Sequence, residues 1–140
     1  MKTIALVAHD AKKDDLLKWV TEHADKLLGN NFYATGTTGK ILSAVLPNIQ
    51  CLKSGPLGGD QQLGALISEG KIDYLIFFWD PMTSQPHDVD VKALLRLSVL
   101  YDVPTACNHA SADFLINSAL FGKEYKSAPE DYSEYLNRSI

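Results

Sequence analysis

Apolar residues in this 140-residue chain fall into short unbroken runs, each followed by a longer stretch in which they recur at helical spacing. Ile4 to Ala8 is the first such run and reads as a buried strand; Leu16, Leu17, Val20, Ala24, Leu27 and Leu28 then predict one amphipathic helix. Phe32 to Thr35 is a second short strand. It breaks at Thr35-Gly36-Thr37-Thr38-Gly39 before a helical stretch through Ile41, Leu42 and Val45. Ile49 to Lys53 is a third, followed by a glycine- and proline-rich turn from Ser54 to Gly59, with Asp60 placed to cap a helix running to about Gly70. Tyr74 to Trp79 is the most hydrophobic run and shows no alternation, as expected of a strand covered on both faces in the middle of a parallel sheet. Beyond the loop from Asp80 to Asp88, Val91, Leu94, Leu95, Leu97 and Leu100 predict a strongly apolar helix. Pro104 to Cys107 then reads as a short strand and Ala112 to Asn117 as a last helix, ahead of a polar tail.

Five strand-then-helix units predict an α/β fold: a single-domain, doubly wound parallel five-stranded sheet with helices on both faces, three layers spanning residues 1–140. In such sheets ligands bind beyond the carboxyl ends of the strands. The unusual loops all fall at those ends and are expected to converge on one rim.

Composition narrows the partners. With 46% hydrophobic and 21% charged residues, the chain suits one globular domain with a real core. A formal net charge of −4 argues against a broad electrostatic footprint for nucleic acid or an anionic membrane. Cys51 and Cys107, far apart in a chain rich in apolar residues, read as reduced thiols. The first apolar run stops at His9-Asp10, too short for a signal sequence, and no segment approaches the ~18 apolar residues of a spanning helix. The expectation is a soluble, cytoplasmic protein.

Three loops carry candidate chemistry. Thr35 to Gly39 offers three hydroxyls and a run of backbone N–H groups before a helix, an arrangement suited to phosphate, though equally to an ordinary turn. It lacks the first glycine and the Lys-Ser/Thr ending of a nucleotide-binding P-loop. Ser54 to Asp60 combines a hydroxyl, glycines that let backbone approach a ligand, and a carboxylate that serves either as cap or as general base. Asp80, His87, Asp88 and Asp90 crowd one loop. No second matching pair backs a metal site there, and Asp88 is placed to cap the next helix, so acid/base work by His87 is the simpler reading. His9, Asp10 and Lys13 end the first strand, with Lys13 able to turn back to the rim. Cys107-Asn108-His109 is not read as a Cys/His nucleophile, because a cysteine is most often a small buried hydrophobe.

Taken together, Val7-Ala8-His9-Asp10, Ala34 to Gly39, Ser54 to Gln62, Phe77 to Pro81 and Pro86 to Lys92 closely resemble the methylglyoxal synthase family, over about residues 4 to 118. The resemblance implies conversion of dihydroxyacetone phosphate to methylglyoxal and inorganic phosphate by a homohexamer inhibited by phosphate, with neither metal nor organic cofactor. It implies Asp60 as catalytic base and His87 as the second proton-transfer residue. Lys13, Thr35, Gly36, Thr37, Thr38, Ser54 and Gly55 would hold the phosphate, His9 would contact the substrate, and Asp10, Asp80 and Asp90 would form the charged surround. Cys107, His109 and Ser111 depart from the family's usual residues without touching the proton-transfer pair, and Arg138 is placed to reach a neighbouring subunit. The same fold also serves as a non-catalytic, ligand-binding regulatory module, which is the alternative.

Overall fold

The computed structural model describes residues 1–129 and 131–140. Its five strands are β1 (Thr3–Ala8), β2 (Asn31–Thr35), β3 (Ile49–Leu52), β4 (Tyr74–Phe78) and β5 (Thr105–Ala106). All pair in parallel, in the order β3-β2-β1-β4-β5. The helices between them are α1 (Lys13–Glu22), α2 (Ala24–Leu27), α3 (Gly36–Leu42), α4 (Gly59–Ser68), α5 (Asp88–Leu100), α6 (His109–Ile116) and, in the tail, α7 (Ser133–Leu136).

The alternation of side chains along β1 divides the core in two. Ile4, Leu6 and Ala8 face Leu16, Trp19 and Val20 of α1, Leu27 of α2, Leu42 of α3 and Ile116 of α6. Ala5 and Val7 face the opposite layer, built on Leu63 and Ile67 of α4 and Val91 and Leu94 of α5. Each of the large side chains that is fully buried contributes about 1.5–3 kcal/mol of transfer free energy. Trp19 also donates its indole N–H to Asp113 Oδ1 at 2.9 Å, tying α1 to α6. The three-layer, doubly wound arrangement matches the expectation.

Several local expectations are corrected. The middle strand is β1, with β4 beside it. Both have strand neighbours on each side and helices on each face, so hydrophobicity alone does not rank them. The first predicted helix is broken at His23, whose backbone (φ −111°, ψ 18°) leaves the helical region while its Nδ1 bonds to Trp19 O at 2.8 Å. Helix α3 begins at Gly36 rather than after Gly39, so Thr37 and Thr38 belong to its first turn. Gly36 has φ +51°, and a Cβ there would come within 2.9 Å of Ser54 Cα, so the β2–α3 junction requires glycine. Helix α6 starts three residues before the expected Ala112, because Asn108 Oδ1 accepts the Ser111 N–H at 2.8 Å and caps it. Among the described residues no helix is long and apolar enough to cross a membrane.

Candidate active site

The chain leaves β1 toward one helical layer and leaves β4 toward the other, and ligand clefts open where adjacent strands diverge in this way. A cleft of about 70 Å³ lies at that carboxyl rim. Its size suits a molecule of a few heavy atoms and is well short of the ~300–1,000 Å³ typical of larger ligands.

One wall brings together an ammonium group, hydroxyls and glycine backbone, the donor set an anion needs. Lys13, Thr35, Gly36, Thr38, Ser54 and Gly55 all line it. Thr35 and Thr38 are buried, and the Thr38 hydroxyl has no hydrogen-bond partner among the described residues. Lys13 Nζ bonds to Asp10 Oδ1 at 2.6 Å and to Thr37 Oγ1. Its ammonium is thereby aimed by two rim residues, and the same contact holds the Asp10 carboxyl below its ordinary range. Thr37 itself is exposed and lies outside the lining, so the structure gives it the Lys13 contact rather than a place on the wall.

The other wall carries titratable groups. Asp60 is 3% exposed, yet it caps nothing: Gly58, left-handed at φ 99°, occupies the N-cap of α4, and Asp60 follows inside the first turn. Its Oδ2 has no hydrogen-bond partner and stands 3.8 Å from His87 Nε2, beyond hydrogen-bond reach. Burial raises the proton affinity of Asp60, the positive field of His87 opposes that, and Asp90 adds to it. His87 is 7% exposed, sits at the N-cap of α5, and leaves its Nδ1 without a partner. The imidazole fits only because residue 55 is glycine; a Cβ on Gly55 would lie 2.7 Å from His87 Nε2.

His9 is also buried, its ring edge-on to His87 with centroids 5.7 Å apart. Its Nδ1 accepts the Asp80 backbone N–H at 3.1 Å, which places the ring proton on Nε2. Burial first, and then the charge of His87, lower its proton affinity, so His9 is a neutral donor whose Nε2–H has no internal acceptor.

The remaining carboxylates do not enter the cleft. Asp80 Oδ1 accepts from Met82 N at 2.9 Å, and this bond, seconded by Thr83, holds its carboxyl below the ordinary range. Asp88 Oδ2 accepts from Gln85 N at 3.0 Å instead of capping α5. Asp90 Oδ1 accepts from Gln61 Nε2 at 3.1 Å and acts on Asp60 through its field. These carboxylates are therefore engaged separately, and among the described residues no group of three or more His, Cys, Asp or Glu is arranged to hold a metal ion. Burial pushes the Cys107 thiol up, away from thiolate chemistry, and His109 turns to Asp113 at 3.3 Å. Both cysteines are free. Sequence reasoning missed Gln85 and Pro56, which also line the cleft. Gln85 carried a faint signal, as a polar residue immediately before Pro86-His87.

An unpartnered buried carboxylate of raised proton affinity, two imidazoles and an anion wall within one small cleft can abstract a proton from an anionic substrate and stabilise the charge that forms. Residues 15–107 match the family model described as MGS-like domain. The chain is 57% identical to the methylglyoxal synthase of Aliivibrio fischeri over 140 residues, covering 99% of this chain and 93% of that one. It is 55% identical to that of Hahella chejuensis over 139 residues, covering 99% and 90%. The chain belongs to the methylglyoxal synthase family. A solved methylglyoxal synthase from Elizabethkingia anophelis superposes with a TM-score of 0.92 at 55% identity, covering 99% of this chain and 92% of that one. Family membership therefore extends over the whole rim: Thr35, Ser54, Asp60 and His87 fall inside the matched model, and His9, Asp10 and Lys13 fall inside the span shared with the full-length relatives.

Proposed function

We infer that this protein converts dihydroxyacetone phosphate to methylglyoxal and inorganic phosphate. The observation that carries the reading is Asp60: a carboxylate whose Oδ2 has no hydrogen-bond partner among the described residues, raised in proton affinity by burial, 3.8 Å from an imidazole and facing Lys13 and the hydroxyls across the cleft.

The substrate phosphate is held by Lys13 with the hydroxyls of Thr35, Thr38 and Ser54 and the backbone at Gly36 and Gly55; Thr37 steadies Lys13. Asp60 removes a proton from the hydroxymethyl carbon, and the C–H electrons form a carbon–carbon double bond as the carbonyl oxygen becomes an enediolate oxygen. The neutral His9 Nε2–H donates toward that oxygen, and His87 serves as the second proton-transfer group. Elimination follows when the carbon–oxygen bond to phosphate stands perpendicular to the enediolate plane, so that its σ* orbital overlaps the π system. The terminal hydroxyl then gives up its proton to His87 and becomes the aldehyde, the double bond shifts, and the bond to phosphate breaks. The enol released tautomerises to methylglyoxal. The grip on the phosphate selects this outcome over reprotonation to an aldose phosphate by holding the bond in that orientation.

The resemblance further supports a cytoplasmic homohexamer that inorganic phosphate inhibits, with no cofactor in the reaction. Within its own chain the Arg138 guanidinium lies 3.8 Å over the Tyr135 ring, on an exposed tail available to a neighbouring subunit. Size-exclusion with light scattering tests the assembly. An Arg138→Ala variant with unchanged phosphate inhibition counts against a role for the tail. The function itself is tested by incubation with dihydroxyacetone phosphate: methylglyoxal and free phosphate are expected in equal amounts, and glyceraldehyde phosphate without free phosphate overturns the reading.

A further inference from the structure

Resting on the substrate proposed above, we propose that Gln85 is a specificity residue that hydrogen-bonds the terminal hydroxyl of the substrate. Gln85, two residues before His87, lines the cleft and supplies its only side-chain amide among the described lining residues. Its backbone is locked in a tight turn: Gln85 N donates to Asp88 Oδ2 at 3.0 Å, and Asp88 N donates to Gln85 O at 3.2 Å. Pro86 further restricts its backbone to extended conformations. The side chain is thus presented from a fixed point, yet no described residue hydrogen-bonds its amide.

The division of labour in the cleft leaves it one task. The phosphate end is covered by Lys13, hydroxyls and backbone, while Asp60 and the imidazoles address the carbon that loses its proton and the carbonyl oxygen. The terminal hydroxyl is the substrate group still without a partner. It must be held in place there, because its O–H electrons become the aldehyde carbonyl as phosphate departs, the proton itself passing to His87. A neutral amide both accepts from and donates to a hydroxyl without adding a charge beside Asp60. It therefore orients the hydroxyl while leaving the base's proton affinity intact.

The test uses hydroxyacetone phosphate, which is dihydroxyacetone phosphate without the terminal hydroxyl. In an Asp60→Asn background, which lets the substrate persist, calorimetric titration gives the affinity for each compound with Gln85 present and with Gln85→Ala, and inorganic phosphate serves as the reference ligand. With Gln85 present, dihydroxyacetone phosphate binds about threefold to tenfold tighter than hydroxyacetone phosphate, the range expected for one neutral hydrogen bond. Gln85→Ala brings the ratio close to one and leaves phosphate affinity unchanged, whereas Gln85→Asn retains part of the preference. An unchanged ratio overturns the proposal. A parallel loss of phosphate affinity also overturns it, by making Gln85 a structural residue of the loop. Methylglyoxal formation by the wild type is measured separately, so a failure of the functional reading is distinguished from a failure of this inference.

Discussion

Replacing Asp60, the proposed base, should make the fold more stable. Asp60 is 3% exposed, sits in the first turn of α4 and has one carboxyl oxygen without any hydrogen-bond partner. Burial raises its proton affinity above the ordinary value of 3.8. The folded chain therefore binds this proton more tightly than the unfolded chain, and raising the pH through the window above 3.8 costs stability. Asp60→Asn keeps the shape and removes the charge. The variant is relieved only of the part of the burial cost that a neutral amide does not share, on the order of 1 kcal/mol at pH 7, a rise in Tm of about 3 °C for a chain of this size. Differential scanning calorimetry at matched chain concentration across pH 3 to 8 measures it. The gain should be present at neutral pH and shrink to nothing as the pH falls below the ordinary carboxyl range. Turnover should meanwhile fall by roughly a hundredfold to ten-thousandfold, the usual share of a general base. A variant less stable than wild type at pH 7, or a gain that persists unchanged at pH 3, refutes the reasoning.

Four further outcomes follow from the same geometry. Lys13→Ala should weaken inorganic phosphate binding by roughly tenfold to a hundredfold, as for the loss of a charge-assisted hydrogen bond, and full affinity by titration would remove Lys13 from the anion wall. Gly55→Ala places a Cβ 2.7 Å from His87 Nε2, so steady-state kinetics should show a lower kcat while far-UV circular dichroism stays that of wild type. Gly39→Ala sets a Cβ 2.5 Å from Cys51 Sγ, and adding Cys51→Ala should recover most of the stability lost in thermal melts; independent, additive effects would show that the two sites do not touch. The acid limb of kcat/KM against pH should lie above 3.8, since the base works deprotonated and its proton affinity is raised, and the acid limb of kcat should lie higher still.

The fold and the loops that meet at the rim were legible because both depend on local pattern. Each unbroken apolar run became a strand, and the loops at their carboxyl ends met at one rim, as a parallel sheet with helical crossovers requires. What stayed hidden depends on lateral order and side-chain direction. Tyr74 to Phe78 looks central by composition, but which strand lies beside which is set by crossovers that leave no trace in the run itself. Asp60 reads as a cap because carboxylates are common at helix starts. Only the left-handed Gly58 moves the cap position forward and turns Asp60 into the cleft. Thr37 shares a motif with Thr35 and Thr38, yet the early start of α3 carries it to the rim beside Lys13. Gln85 escaped notice because nothing in the type of residue says that its amide lacks a partner.

The two walls of the cleft are also coupled through charge. The buried carboxylate of Asp60 feels His87, which favours ionisation, and Asp90, which opposes it. A bound substrate adds a phosphate dianion within the same small cleft, only partly offset by Lys13, whose ammonium must then share its contact with Asp10. The added negative charge strengthens the base at the moment the carbon-bound proton is taken. Once phosphate departs, that contribution leaves with it and the carboxyl gives up the proton more readily. In the proposed reaction, binding energy from the non-reacting end of the substrate is thus converted into base strength at the reacting end.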